Sequence, residues 1–217
     1  MELISSFLYF VLHLNTELPR LVCEYQAWTY GILAFVVFCE TGLVVTPFLP
    51  GDSLLFAAGA VAAGVNMACL ENPLSAELLT LVIIVAAVLG DTVNYSIGRY
   101  FGHVVSRWIK PVYLQKTHQF YEKHGGKTII LARFVPIVRT IAPFVAGVGE
   151  MTYRRFLAFN VVGGIVWPVI CIYAGFWFGR FEFVQKRFEL VLVAIILISV
   201  LPMVIEFWRH KRAQKAD

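Results

Sequence analysis

Charge is scarce in this chain: 15% of its 217 residues are Asp, Glu, Lys or Arg, against about 25% in ordinary soluble domains. The hydrophobic share is 59% and the mean hydropathy +0.74, which excludes a polar-surfaced globule. Roughly 128 apolar side chains exceed what one small soluble core hides, so much of the chain faces hydrocarbon. Cys23, Cys39, Cys69 and Cys171 stand far apart with no Cys-x-x-Cys or Cys/His pairing, which argues against a zinc site or a redox motif; they read as buried small hydrophobes. His103, His118 and His124 lack metal-ligand spacing. No Gly-rich loop ends in Gly-Lys-Ser/Thr, which argues against ATP hydrolysis by the chain itself. Neither a metal nor a cofactor is expected. The N-terminus lacks a basic region and an Ala-x-Ala site, so no removable signal peptide is expected.

What is present is a series of apolar segments, and two of them are interrupted. Residues 1–24 start apolar and then carry Glu17, Pro19, Arg20 and Glu24, the pattern of an interfacial amphipathic helix. Residues 28–64 hold two half-length apolar runs around Glu40, Pro47, Pro50, Gly51 and Asp52; residues 127–148 hold a run broken by Arg133, Pro136, Arg139 and Pro143. Half-length segments broken by Pro and Gly predict re-entrant hairpins. Residues 78–97, 156–178 and 188–208 read as full spans, the second ending in Gly175-x-x-x-Gly179, a candidate close-packing face. The fold class is therefore an all-α membrane protein in one domain, with two re-entrant hairpins, transmembrane helices and an N-terminal amphipathic helix.

Loop charge sets the sidedness. Between Arg99 and Lys127 there are six Lys/Arg and one acid, Glu122, whereas residues 64–77 hold Glu71 and Glu77 and no base. The basic loop 99–126 and the basic tail 209–217 are expected on the cytoplasmic side, with the two hairpins entering from opposite faces. This pattern also assigns the basic pI of 8.9 to membrane orientation and not to nucleic acid. Pro47-Phe48-x-x-Gly51 and Pro143-Phe144-x-x-Gly147 share one spacing, an internal echo placed at the hairpin tips, with Pro136 beside the second. Inverted repeats with broken helices are a transporter architecture.

Glu40, Asp52, Arg133 and Arg139 lie in apolar surroundings, each costing about 2.5–3.5 kcal/mol at a helix centre on insertion scales. They are expected to neutralise one another across the hairpins. A structural alternative is that the acids anchor hairpin tips or that Asp52 caps the following half-helix. In the functional reading Arg133 and Arg139 grip phosphate oxygens, while Glu40 and Asp52 exchange protons. On an unbroken helix the two arginines point about 120° apart; the bend at Pro136 is expected to let them converge. Asp91, Asn94, Tyr95 and Arg99 form a second polar group at one end of the 78–97 span, read equally as a helix-end network or a proton relay. Gly51-Asp52-Ser53-Leu54 matches a hydrolase string, but no downstream Asp-x-x-His accompanies it, since Phe207 stands three residues before His210. An enzyme is not expected.

The strings FCETGLVVTPFLPGDSLLFAAG (Phe38 to Gly59), GDTVNYSIGRYFG (Gly90 to Gly102) and YEKHGGKTIILARFVPIVRTIAPFVAGVGEM (Tyr121 to Met151) closely resemble the DedA family. The resemblance covers nearly the whole chain. It implies a multi-pass protein of the bacterial inner membrane that moves an anionic lipid carrier such as undecaprenyl phosphate, coupled to protons and supporting envelope integrity. It also implies that the family's membrane-embedded acids fall on Glu40 and Asp52 and its essential arginines on Arg133 and Arg139. Membrane lipids, a polyprenyl phosphate and protons are the expected partners; pairing of subunits is left open. Two other readings stand beside this one: a small-cation or drug/proton antiporter, and an assembly factor that transports nothing.

Overall fold

Ser75 starts the longest of the described helices, in a computed structural model that describes residues 14–43, 51–64, 74–105, 125, 127–149, 151–188 and 190–195. Its Oγ accepts the Leu78 N–H at 3.2 Å and donates to the Glu77 carboxylate at 2.9 Å, an N-cap that satisfies one orphan donor. The described elements in chain order are α1 (Leu14–Tyr25), α2 (Trp28–Gly42), α3 (Gly51–Ala62), α4 (Ala76–Val105), α5 (Lys127–Ala132), α6 (Pro136–Val148), α7 (Tyr153–Phe178) and α8 (Glu182–Lys186). Residues 190–195 are helical too, and no strand occurs among the described residues.

Among the described residues two helices are long and apolar enough to cross a membrane, within Ala76–Gly102 and Tyr153–Phe178; most of the third predicted span, 188–208, lies outside the described residues. The first extends past the predicted span: residues 98–105 are helical, so the start of the predicted basic loop is helix instead. The cause is packing. Gly98 and Gly102 lie against Phe144 and Val148 of α6, which extends the buried face beyond the apolar run. By contrast α2, α3 and α6 have 15, 12 and 13 residues, or about 18–23 Å at 1.5 Å per residue, well short of the ~30 Å hydrocarbon core.

The long helices are inside-out relative to those of a soluble protein. On α4, Leu78, Leu81, Val85, Leu89 and Val93 are exposed, while Asp91 and Asn94 are buried. On α7, Val162, Ile165 and Ile170 face outward and Asn160 is fully buried. Water would not select this arrangement. A surround of lipid tails would, because apolar side chains gain nothing by leaving it and polar ones must find partners inside.

Close backbone approach holds the bundle together. A Cβ at Gly59 would strike the Ile172 carbonyl, and one at Gly175 the Phe56 carbonyl, so α3 and α7 meet through glycine on both sides; Gly179 completes the contact against Ala60. The Gly175-x-x-x-Gly179 pair thus forms the close-packing face anticipated from its spacing. The same device recurs where Gly98 of α4 meets Phe144 and Gly147 of α6 meets Tyr95.

Two sequence expectations are corrected. Pro143 and Gly147 lie inside α6 and not at a hairpin tip. The break in this region falls at 133–135, with Pro136 as the first residue of α6, where its missing N–H is an orphan in any case. Cys23 is disulfide-bonded and so is no free buried hydrophobe; Cys39 and Cys171 are not in disulfides. Pro47 and Pro50 lie outside the described residues, as do residues 1–13 of the N-terminal segment, most of the basic loop and the C-terminal tail.

Candidate functional site

Glu40, in the last turn of α2, and Asp52, in the first turn of α3, stand 12 positions apart in sequence and meet on one guanidinium. Arg139 of α6 donates through Nη2 to Glu40 Oε1 and through Nη1 to Asp52 Oδ1, the latter at 2.7 Å. The side chains of Arg139 and Glu40 are 5% and 1% exposed, that of Asp52 16%. Glu40 is held from a second direction: the Gly51 N–H, at the start of α3, donates to Oε1 at 3.3 Å. Here the residue type is dictated by space, because a Cβ on Gly51 would collide with the Glu40 carboxylate. A carboxylate at a helix N-terminus also meets the positive end of the helix dipole.

Trp167 of α7 closes the cluster. Its indole N–H donates to Asp52 Oδ1 at 2.8 Å, and its ring lies 5.1 Å from Arg139 Cζ, within cation–π range. One guanidinium facing two carboxylates leaves one negative charge in excess when all three groups are ionised. A single proton on either acid makes the cluster neutral. Glu40 Oε2 and Arg139 Nε are buried and have no protein partner, so this site retains acceptor and donor capacity for another group.

Arg133 does not join it. The predicted quartet is two clusters, for the turn at 133–135 aims the arginines at different acids. Arg133 Nη2 lies 2.5 Å from Asp91 Oδ2 and 2.5 Å from Asn160 Oδ1. Asn160 in turn donates to the Val88 carbonyl at 3.1 Å. Arg133 packs against Gly163 and Gly164 of α7, where a Cβ would crowd its side chain. With one acid for one base, this second cluster is charge-balanced as it stands.

The predicted second polar group also divides. Asp91 belongs to Arg133. Asn94, fully buried, donates through Nδ2 to the carbonyls of Thr41 at 2.9 Å and Thr140 at 2.8 Å, tying α2 and α6 to α4. Tyr95 accepts from Arg99 at 3.2 Å and donates to the Met151 carbonyl. Ser53 is buried, and among the described residues its hydroxyl has no partner. Among the described residues no group of three His, Cys, Asp or Glu could hold a metal ion.

Sequence reasoning passed over Asn160 and Trp167, treating 156–178 as an ordinary span. For Asn160 a signal existed: it is the one amide in an otherwise apolar helix interior, and such a group needs a partner in lipid. Trp167 carried none, since tryptophan is equally at home in a core.

The VTT domain family model matches residues 49–177, a stretch that includes Asp52, Asp91, Arg133, Arg139, Asn160 and Trp167. The chain is 55% identical over 219 aligned residues to Protein DedA of Escherichia coli strain K12, covering 98% of this chain and 97% of that protein. It is 42% identical over 190 residues to the uncharacterized membrane protein Rv0364 of Mycobacterium tuberculosis, covering 85% and 81%. With the inner membrane protein YqjA of E. coli K12 it shares 33% identity over 180 residues, covering 81% and 79%. No solved structure matches it. By the family match, by these identities over most of its length and by its outward-facing apolar helices, the chain belongs to the DedA family of VTT-domain membrane proteins.

Proposed function

We propose that this membrane protein is a lipid translocase of the bacterial inner membrane, moving an anionic, phosphate-bearing carrier of the undecaprenyl phosphate class with coupling to protons. The observation that carries the reading is Arg139, buried and shared between Glu40 and Asp52. A phosphate presents oxygens of the same geometry as a carboxylate and can replace either acid on the planar guanidinium. Protonation of Glu40 or Asp52 weakens its hold on Arg139 and frees donors for the phosphate; return of the phosphate to solvent restores the ion pairs. Carboxylate and lipid phosphate thereby compete for one guanidinium, and because a proton releases the carboxylate, protonation favours phosphate binding, which couples their movement.

In this reading α2 with α3, and α5 with α6, are re-entrant hairpins of an inverted repeat entering from opposite faces. Their short lengths support it, as does the parallel use of glycine where α3 meets α7 and α6 meets α4. Arg133, already neutralised by Asp91, holds the second hairpin in place. The inner-membrane assignment leans on the name of the relative YqjA and on the basic loop.

Translocation of a fluorescent polyprenyl phosphate in reconstituted vesicles tests the proposal. Arg139→Lys replaces a planar fork by a point charge and is expected to slow transport strongly, with Arg139→Ala slower still. Undiminished transport by both variants removes the phosphate-clamp role. The excess negative charge of the cluster also suits a small cation, so proton flux driven by a soluble cation without lipid movement favours the antiporter reading.

A further inference from the structure

Apart from the two buried clusters, α4 and the start of α7 border a partly open cavity of about 460 Å³, lined by Thr92, Tyr95, Ser96, Arg99, Thr152 and Tyr153 among others. That volume falls within the ~300–1,000 Å³ of small-molecule sites. Its described wall carries a guanidinium, three aliphatic hydroxyls and tyrosine rings, and no acid. Among the described residues no carboxylate forms an ion pair with Arg99. Arg154 and Arg155 follow Tyr153 directly on α7 and add to the positive potential of this end of the helix.

The guanidinium is oriented from below. Arg99 Nη1 donates to the Tyr95 hydroxyl at 3.2 Å, and that hydroxyl donates to the Met151 carbonyl. The Tyr95 ring is 2% exposed and stacks on Phe156 with centroids 4.4 Å apart. Tyr95 is therefore a fixed post that engages one of the five guanidinium N–H groups. Thr92 and Ser96 donate to the carbonyls of Val88 and Thr92, each at 2.7 Å, so toward the cavity they offer lone pairs. The Thr152 side chain makes no cap hydrogen bond to α7, and its hydroxyl can rotate to donate or to accept. Guanidinium and Thr152 donors beside Thr92 and Ser96 acceptors complement a protonatable oxyanion better than a permanently dianionic or a neutral group.

We infer that this cavity is a second anion site, built for a terminal phosphate: a phosphate monoester or inorganic phosphate, whose second ionisation lies near pH 6 and which therefore presents both oxygens and an O–H. Arg99 lies eight residues beyond Asp91 on α4, about 12 Å along the helix, so the site sits one short step from the buried clusters and on the side of the basic loop. It receives the phosphate before or after Arg139 does; this step rests on the translocase reading, whereas the site itself does not.

Binding to the purified full chain in detergent micelles tests it, with inorganic phosphate in one arm and dihexanoyl phosphatidic acid in the other, and dihexanoyl phosphatidylcholine as the zwitterionic control. Arg99→Gln is expected to weaken phosphate-group binding by roughly tenfold or more, as loss of a charge-assisted bond does. Arg99→Lys should recover part of it, and Ser96→Leu, which fills the cavity without touching charge, should weaken it too. Binding in the lipid arm alone identifies a lipid headgroup as the source; binding of inorganic phosphate alone identifies the free anion. Both support the site. Arg99→Gln and Ser96→Leu binding like the unaltered protein in both arms overturns it. If the unaltered protein moves no lipid in vesicles yet shows Arg99-dependent binding, the translocase proposal fails and the site stands; the opposite pair of results sinks the site alone.

Discussion

Trp167 donates its indole N–H to the same carboxylate oxygen, Asp52 Oδ1, that accepts from Arg139, at 2.8 Å and 2.7 Å respectively. Two donors from different helices fix that oxygen, and the indole face borders the guanidinium. Trp167 thus positions both members of an ion pair without being charged.

Trp167→Phe keeps a ring over Arg139 and removes the N–H. A hydrogen bond to a charged group is worth about 1.5–3 kcal/mol, so polyprenyl phosphate transport in vesicles is expected to fall roughly tenfold or more, with the variant still folded. Trp167→Ala should in addition lower thermal stability in detergent, because it empties a buried volume beside Pro168 and Ile172. Transport by Trp167→Phe at the unaltered rate shows that the indole N–H is dispensable.

Asp91 and Arg133 form the charge-balanced pair, and losing one partner strands the other. Asp91→Leu alone is expected to destabilise by about 3–5 kcal/mol, whereas Asp91→Leu with Arg133→Met should recover most of that loss, as buried pairs replaced by apolar residues do. A double-mutant cycle on thermal unfolding in detergent measures this. Additive effects of the two substitutions are incompatible with a direct pair.

Glycines here separate into those that space requires and those it does not. Gly59→Ala forces a methyl into the Ile172 carbonyl and Gly51→Ala one into the Glu40 carboxylate. The first is expected to cost about 1–3 kcal/mol as overpacking; the second should impair transport more than stability, because it displaces an acid from Arg139. Gly31 of α2 has nothing within 4 Å of an added Cβ, so Gly31→Ala is expected to be neutral or to stabilise by up to about 1 kcal/mol. Unfolding midpoints of the three variants, with transport for Gly51→Ala, check the contrast.

The ordered list of segments was readable from composition and interruption: long apolar runs around 78–97 and 156–178, short ones either side of Asp52 and Pro136. So were Glu40, Asp52, Arg133 and Arg139, because a charge inside an apolar run is conspicuous at a cost of about 2.5–3.5 kcal/mol. Asn160 was weaker in signal and Trp167 silent, since neither residue type is out of place in a helix core.

Hydropathy along a chain is a local property, and it determined that this protein lies in a membrane, which stretches are long and apolar enough to cross it and which polar groups must find partners there. Pairing is not local. Arg139 reaches Glu40 across 99 positions and Arg133 reaches Asp91 across 42, separations over which no periodicity operates. Only the packed bundle, with its turn at 133–135 and its helices drawn together at Gly59, Gly98, Gly147 and Gly175, decided that the four expected groups divide into an acid-rich cluster and a balanced one. The reason is steric: glycine contacts set how closely the helices approach, and that approach selects the carboxylate each guanidinium can touch.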